Sequence, residues 1–387
     1  MTEQDQAGTP LAPEVAAEVQ RAEQLVAQGQ YDAGIALMQR VARASGSQPL
    51  MDRLIEMRMQ DLERESAAPE LHAMRASNDL LSDKPALRAR LDEDGYLFLR
   101  GLVPVERLLN LRDQITSILA EEGWIEGGER RLLAIASGRP CREGQPRFFR
   151  VHDRVVRLEA LHALAHEDSL LRLMQTVLGA TAFPHPLSIV RLIFPDSPEL
   201  STPPHQDYPN NQGSADLTAA WIPLADCAVE DGSLAVLEGS HRFGVLPLRF
   251  HLGAGNRRAV LHEELASLRW VGADFAAGDV LLFPSLTVHR ALGNHNASNM
   301  RLSVDYRYQR EGEALTPGCL QPHFQRLDWE EIYSGWQSDK LKYYWREKQF
   351  VEVPWNPALH DLPPEHVDEA YEKELAFNLL FNRRRNL

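Results

Sequence analysis

The chain has little cysteine and no long hydrophobic run. Its three cysteines, Cys141, Cys227 and Cys319, lie far apart and outside any CxxC or CxxH unit. This pattern argues against a disulfide framework and against a cysteine zinc site, and it fits a reducing compartment. No apolar stretch reaches the roughly 18 residues that a membrane-spanning helix needs, and the first residues lack the basic and apolar regions of a signal peptide. We therefore expect a cytoplasmic protein with no membrane partner.

Basic side chains are also in deficit. The 387 residues include 41 Lys and Arg against 55 Asp and Glu, which gives a net charge of −14. Because nucleic-acid binding needs a basic surface that displaces counterions from phosphates, this balance predicts no nucleic-acid partner. Hydrophobic residues make up 44% of the chain, enough to bury a sizeable core. The length predicts one large domain with an appendage, or two domains.

The sequence pattern divides the chain into three predicted parts. Residues 1–80 have apolar positions at helical spacing, such as Val15 and Val19, and predict a helical N-terminal extension. Part of this extension resembles one tetratricopeptide-type helical pair, but an array needs about three copies and we find one. We interpret the extension as a cap or homodimer element, with partner binding as the alternative. Residues 81–315 form the predicted central domain, and 316–387 form a helical and irregular C-terminal extension that packs on it.

From about residue 185 onward, short apolar runs alternate with turn residues, as in LSIVRLIF, LTAAWIPLAD and MRLSVDYRYQ. No helix-length segments lie between these runs, which disfavours a parallel sheet. The pattern predicts an antiparallel sandwich or jelly roll. The expected fold class is therefore mainly β with α, with a jelly-roll core, flanking helices and the N-terminal helical extension.

The segment HQD places His205 and Asp207 two residues apart, so both side chains point to one face if the chain is extended there. An imidazole and a carboxylate could then meet one metal ion, although such a pair alone is also common in surface loops. His289, at the end of the strand-like run DVLLFPSLTVH, supplies a second imidazole. Two histidines and one carboxylate are the facial triad of non-haem Fe(II) oxygenases, which leaves three coordination positions open.

Arg301 follows His289 by twelve positions, which allows a turn through residues 293–296 and a return on the next strand. A guanidinium there could hold the far carboxylate of a bidentate oxo acid through a fork of parallel hydrogen bonds. Alone, this arginine would be interpreted as a surface charge. Together with the triad it predicts an anion anchor.

At these residues the sequence resembles the phytanoyl-CoA dioxygenase family of Fe(II)- and 2-oxoglutarate-dependent oxygenases. The resemblance runs from about Leu91 to Gln309 and rests on LDEDGYLFLRGLVP at 91–104, HQD at 205–207, AAWIPLADCAVEDGSLAVLEGSHR at 219–242, GDVLLFPSLTVH at 278–289 and RLS at 301–303. It implies a double-stranded β-helix core of cupin-like type. It also implies Fe(II) as the cofactor, 2-oxoglutarate and O2 as cosubstrates, and succinate and CO2 as co-products.

The same resemblance implies roles for individual residues. The implied residues are His205, Asp207 and His289 as iron ligands, Arg301 as the anchor of 2-oxoglutarate with Ser303 nearby, and Gln206 and Trp221 along the cosubstrate pocket. Trp221 is about equally well explained as a core residue. Halogenating relatives replace the carboxylate ligand by a small residue, so the presence of Asp207 favours hydroxylation or a related oxidation.

The substrate is indicated only by arginines. Eight of them lie between Arg130 and Arg157 in an otherwise acidic chain. They could form a lid that binds an anionic substrate, or they could pair with the acidic N-terminal helices or another subunit. Arg191 lies on the strand that leads towards the triad, where alternation could place its side chain inside the barrel. A buried arginine needs an anionic partner. The candidate substrate-binding residues are Arg191, Arg150, Arg147 and Asn210.

Two functions of different classes fit these patterns. The first is an enzyme that hydroxylates a small, anionic metabolite. The second is a metal-binding, cupin-like interaction protein whose oxygenase site is vestigial and whose helices dock a partner. The intact set of His205, Asp207, His289 and Arg301 favours the enzyme.

Overall fold

The computed structural model describes residues 11–197, 201–252, 255–360 and 366–384. By its internal contacts the chain separates into two units. One combines the residues up to Glu65 with those from Pro364 onward, and the other is Ser66–Pro363. The predicted boundaries lie after residues 80 and 315 instead. In the structure, residues 316–363 stay with the second unit and the last helix groups with the N-terminal helices.

Helices make up the first unit and flank the sheets of the second. The helices are α1 (Pro13–Ala27), α2 (Tyr31–Ser45), α3 (Gln48–Ser66), α4 (Lys84–Asp94), α5 (Val105–Glu121), α6 (Pro146–Val155), α7 (Glu159–Leu164), α8 (Asp168–Val177), α9 (Tyr208–Asn211), α10 (Glu263–Ala266), α11 (Trp329–Tyr333) and α12 (His366–Arg384). The strands are β1 (Leu71–Ala73), β2 (Leu97–Leu99), β3 (Ala182–Pro184), β4 (Ile189–Ile193), β5 (Thr218–Pro223), β6 (Leu234–Leu237), β7 (Leu248–Phe250), β8 (Arg257–Ala259), β9 (Trp270–Gly272), β10 (Val280–Pro284), β11 (His289–Ala291), β12 (Arg301–Arg310), β13 (Ala314–Leu315) and β14 (Val351–Glu352).

Two main sheets build the second unit. The larger sheet has the strand order β2-β10-β5-β12-β3, with β4 also pairing with β12, and all of these pairs are antiparallel. The smaller sheet has the order β1-β9-β6-β11, in which the β1–β9 pair is parallel and the other pairs are antiparallel. Apolar side chains of the two sheets share one core, including Trp221, Leu281 and Phe283 with Val236 and Val271.

The alternation of β12 explains how the larger sheet separates two environments. Its even-numbered residues from Leu302 to Tyr308 pack into the core shared with helices α4–α8. Two of them also bond to that helical layer, because the hydroxyl of Tyr306 donates to the carbonyl of Leu161 at 2.6 Å and that of Tyr308 to the carbonyl of Ala165 at 2.7 Å. The odd-numbered residues face the smaller sheet, where the inward-facing Trp221 bonds to Ser303. This arrangement confirms the predicted jelly-roll core with flanking helices.

The helical unit confirms the predicted N-terminal helices and adds α12 to them. Its core is apolar and contains Ile35, Met38 and Leu54. The guanidinium of Arg58 on α3 lies 3.2 Å from a carboxylate oxygen of Glu369 and 3.2 Å from one of Glu372, both on α12. In the described part of the chain, no helix is long and apolar enough to cross a membrane.

Candidate metal centre

The backbone places the two candidate histidine ligands side by side. The N–H of His205 donates to the carbonyl of His289 at 2.9 Å, and the N–H of His289 donates to the carbonyl of His205 at 3.0 Å. The two residues thus form an antiparallel bridge at the start of β11, and their ring centroids are 4.1 Å apart. Main-chain hydrogen bonds thus bring together two residues that lie 84 positions apart in the sequence.

Each imidazole is oriented by a carbonyl two residues before it. Nδ1 of His205 lies 2.8 Å from the carbonyl oxygen of Pro203, and Nδ1 of His289 lies 3.0 Å from that of Thr287. Because a carbonyl only accepts, each Nδ1 is the protonated nitrogen, and each Nε2 keeps its lone pair. Both Nε2 atoms face Oδ1 of Asp207, at 3.9 Å and 4.0 Å. The three ligand atoms lie within 4.8 Å of one another, a spacing that could hold one metal ion.

The charges of the three groups suit a divalent cation. Burial and the neighbouring imidazole lower the pKa of His205 to about 3. The pKa of His289 is also lowered, chiefly by burial. Burial alone would raise the pKa of Asp207, but the adjacent Arg307 cation outweighs it and holds that pKa well below its usual range. At neutral pH the site therefore offers two neutral imidazoles and one carboxylate, the donor set of a facial triad.

Arg307 is a residue of this site that the sequence interpretation missed. Its Nη2 lies 2.9 Å from Oδ1 and 3.0 Å from Oδ2 of Asp207, and its Nε lies 3.2 Å from Oδ2. Both side chains are buried. The available signal was alternation, since Arg307 follows Arg301 by six positions on the same strand and must share its face.

Arg301, Ser303 and Trp221, predicted to lie around 2-oxoglutarate, are joined by hydrogen bonds. Nη1 of Arg301 donates to the Ser303 hydroxyl at 2.6 Å, and the indole N–H of Trp221 donates to the same oxygen at 3.1 Å. Arg301 is 4% exposed, and its buried Nε has no hydrogen-bond partner. Burial lowers the pKa of this guanidinium, and in the described residues no carboxylate forms an ion pair with it. A buried cation with an unused donor fits the carboxylate of a bound anion such as 2-oxoglutarate.

Two other predicted site residues have different environments. The buried amide of Gln206 donates to the carbonyls of Gly244 and Leu286 at 2.8 and 2.6 Å and accepts from the N–H of Leu246 at 2.8 Å. Three backbone groups therefore occupy this amide, and it tethers loops instead of lining a cosubstrate pocket. Asn210 is exposed, and its backbone N–H donates to the carbonyl of Asp207 at 3.0 Å within the turn of α9.

The predicted substrate arginines separate into one interior residue and two outer ones. Arg191 lies opposite Ser303 in the β4–β12 pair, and its guanidinium is 3.2 Å from Asp305 and 3.2 Å from Glu143. Its partner Asp305 lies on the inward face of β12, two residues before Arg307, which bonds to Asp207, so Arg191 lies on the same side of the sheet as the triad.

The two outer arginines lie on α6. Arg150 is 65% exposed and 3.5 Å from Glu122, and Arg147 donates to the carbonyl of Arg139. Both partners belong to the same unit as the arginines and are not the acidic N-terminal helices that the alternative interpretation names.

Comparisons with known proteins agree with this site. Residues 91–303, more than half of the chain, match the family described as phytanoyl-CoA dioxygenase (PhyH). The 1-deoxypentalenic acid 11-beta-hydroxylase of Streptomyces arenae is 31% identical over 255 residues, which cover 62% of this chain and 87% of the relative. The enzyme of the same name from Streptomyces exfoliatus is 29% identical over 256 residues, with the same coverage of 62% and 87%.

Solved structures are similar at lower identity. The non-haem, alpha-ketoglutarate-dependent carbocyclase SnoK from nogalamycin biosynthesis has a TM-score of 0.42 and 18% identity, and the match covers 68% of this chain and 94% of SnoK. The epimerase SnoN of the same biosynthesis has a TM-score of 0.38 and 21% identity, with 60% and 84% covered. The family match and the His-Asp-His cluster point to the same class of enzyme. This chain belongs to the phytanoyl-CoA dioxygenase family, and it is an Fe(II)- and 2-oxoglutarate-dependent oxygenase.

Proposed function

We propose that this oxygenase hydroxylates a small metabolite that carries a carboxylate or a similar anionic group. In this proposal His205, Asp207 and His289 hold the iron, and Arg301 with Ser303 holds the distal carboxylate of 2-oxoglutarate. The single observation that carries the proposal is the buried Arg301 guanidinium. It lies on the inward face of β12, and among the described residues its Nε has no hydrogen-bond partner and no carboxylate forms an ion pair with it.

When bound, Fe(II) and 2-oxoglutarate supply the oxidation, in which O2 is consumed and 2-oxoglutarate becomes succinate and CO2. The protein contributes geometry. His205 and His289 present Nε2 lone pairs, and Asp207 presents a charged oxygen on the same side. Trp221 holds the Ser303 hydroxyl from one side, so that the hydroxyl and Arg301 meet the anion together. No side chain is needed as a general base.

The anionic substrate class is supported by Arg191. This arginine binds the carboxylate of Glu143, which comes from the irregular segment before α6, and the carboxylate of Asp305 on β12. Arg191 therefore already binds a carboxylate near the triad. A substrate carboxylate could form the same ion pair in place of Glu143. The Streptomyces relatives are named for a carboxylic acid, 1-deoxypentalenic acid. The predicted cytoplasmic location and homodimer remain predictions.

The test is an anaerobic titration of Fe(II) and 2-oxoglutarate into the full chain, followed through the visible metal-to-ligand charge-transfer band. We expect a band in the wild type that His205→Ala abolishes and Arg301→Ala weakens. The matched control is Arg310→Ala, because Arg310 lies on the same strand but pairs with Glu313 and Asp216 at its exposed end. The control should leave the band unchanged.

Two results would contradict the proposal. Wild-type protein with stoichiometric iron and no band would favour the vestigial-site interpretation. Equal weakening by Arg301→Ala and Arg310→Ala would remove Arg301 as the anchor. A panel of small carboxylic acids, compared with their methyl esters, then tests the substrate class by the hydroxylated product. Esters turned over as well as acids would contradict an anionic substrate.

A further inference from the structure

Arg307 makes an unusually complete contact with one carboxylate. Two of its nitrogens reach both oxygens of Asp207, at distances between 2.9 and 3.2 Å. Arg307 is 4% exposed and Asp207 is 2% exposed, so water does not screen the pair. A planar guanidinium that grips both oxygens fixes the plane and the direction of a carboxylate, which a single-point contact does not do.

The contact is also exclusive. Asp305, two residues earlier on the same face of β12, pairs with Arg191, and the side-chain oxygen of Gln309, two residues later, accepts from Nε2 of His185 at 2.8 Å. Among the described residues, all side-chain hydrogen bonds of Arg307 go to Asp207. The buried Nη1 of Arg307 has no hydrogen-bond partner among these residues. The arginine therefore serves this one carboxylate.

The two oxygens of Asp207 differ in what surrounds them. Oδ1 accepts one hydrogen bond, from Nη2 of Arg307 at 2.9 Å, and also faces the Nε2 atoms of His205 and His289 at 3.9 and 4.0 Å. Oδ2 accepts from both Nε and Nη2 of Arg307. A carboxylate free at both oxygens can chelate a metal ion and occupy two positions, whereas the triad must leave three positions open.

We propose that Arg307 is a positioning residue that limits Asp207 to a single ligand oxygen and so keeps the remaining coordination positions for 2-oxoglutarate and O2. This inference rests on the proposed function, because it concerns the same metal. The residue acts through Asp207.

The first test uses Arg307→Lys and Arg307→Gln, with Arg310→Gln as the matched control on the same strand. The lysine keeps the charge but loses the fork, and the glutamine loses both. In the anaerobic charge-transfer titration we expect Fe(II) to bind all three variants. The affinity of the iron form for 2-oxoglutarate should fall about 10- to 100-fold in both Arg307 variants, because the freed second oxygen competes for the metal. Arg310→Gln should match the wild type. Unchanged 2-oxoglutarate affinity in Arg307→Lys would overturn the proposal.

The second test does not depend on 2-oxoglutarate, and its wild-type measurement does not depend on a variant that folds. X-ray absorption of the wild-type protein loaded with Fe(II) alone reports whether a carboxylate binds through one oxygen or two. We expect one oxygen in the wild type and a shift towards two in Arg307→Lys. Two-oxygen binding in the wild type would overturn the role of Arg307. A missing charge-transfer band with one-oxygen binding would instead count against the proposed function and leave Arg307 supported.

Discussion

Buried charged side chains have different partners in the helical unit and in the second unit, which contains the jelly-roll core and is called the jelly-roll unit below. In the helical unit, buried Arg58 lies 3.2 Å from both Glu369 and Glu372, and buried Lys373 lies 3.7 Å from Glu65. In the jelly-roll unit, Arg301 is equally buried, but among the described residues its only side-chain hydrogen bond goes to the hydroxyl of Ser303, and its Nε has no hydrogen-bond partner there. Arg307, on the same strand, has its own carboxylate.

We propose that the difference separates charges that hold the fold from a charge that holds a ligand. Burying an ion costs several kcal/mol, and a chain recovers this cost only if a counter-ion meets it. The helical unit contains its counter-ions, so its cations specify which helices pair. Arg301 forms no ion pair with a carboxylate of the described residues, and in our proposal the bound anion supplies one.

The largest effect on stability should come from the helical unit. Arg58→Met leaves buried carboxylates with one cation fewer, and we expect the free energy of unfolding to fall by about 3 kcal/mol. The measurement is urea unfolding followed by far-UV circular dichroism. The control is Arg53→Met on the same helix, whose guanidinium is 41% exposed and pairs with Glu23 and Glu56. This control should cost less than about 1 kcal/mol. Equal effects of the two variants would show that the buried pairs do not hold the unit.

Arg301→Met should give the opposite result. Replacing a buried cation that has no carboxylate by an apolar side chain is often neutral or stabilising, so we expect no loss of unfolding free energy. The affinity for 2-oxoglutarate should fall about 100-fold, because hydrogen bonds to a charged group are worth about 1.5–3 kcal/mol each. Isothermal titration with the Fe(II) form measures this. A strongly destabilised variant with normal 2-oxoglutarate affinity would reverse the comparison.

Acid should affect the jelly-roll unit through buried imidazoles. Burial lowers the pKa of His162 and of His185 to about 4. Between an unfolded-state pKa of about 6.5 and this value, the unfolded chain binds more protons, so the unfolding free energy falls as the pH drops from about 6.5 to 4. All seven tryptophans lie between residues 124 and 355, so their fluorescence reports this unit.

The variant His162→Gln tests this cause. We expect its urea midpoint to change less steeply with pH over that window than the midpoint of the wild type. His72→Gln, at an exposed position, is the control and should keep the wild-type slope. If the slope survives in His162→Gln, this imidazole does not contribute to acid sensitivity.

The smallest effect is expected at Glu143. Glu143→Gln removes one of the two carboxylates on Arg191 and makes that cation more available to an acidic substrate. We expect a two- to five-fold lower KM for an acidic substrate, the scale of a partly exposed ion pair of about 0.5–1 kcal/mol. The KM for 2-oxoglutarate should stay unchanged. Glu122→Gln, which removes the partner of Arg150, is the control. A higher KM in Glu143→Gln would mean that Glu143 itself contacts the substrate.

Much of the fold and the centre of the site could be predicted from sequence. Short apolar runs predicted the antiparallel sheets, since alternation is a local property of each strand. HQD and His289 predicted a cluster because each motif is short and chemically distinctive. Arg301 followed from its distance to His289, and the structure joins it to Ser303 and Trp221.

The remaining features depend on contacts that are distant in sequence. Gln206 was expected along the cosubstrate pocket because of the family resemblance, but its side chain bonds to backbone groups of two loops. Arg307 was missed because its partner Asp207 is one hundred residues away. The grouping of α12 with the first three helices is also a long-range contact, and its periodicity gives no sign of it.

The hydrogen-bonded bridge between His205 and His289 has a consequence for metal identity. Because main-chain bonds of 2.9 and 3.0 Å join the two backbones and a carbonyl orients each imidazole, the ion does not have to assemble its own ligands. A site that is formed in advance does not discriminate among divalent ions of similar size, and their intrinsic order of affinity then applies, in which Fe(II) ranks below Co(II), Ni(II) and Zn(II). Occupancy by iron is therefore decided by which ions the surroundings supply, and zinc is expected to act as a tight inhibitor of this enzyme.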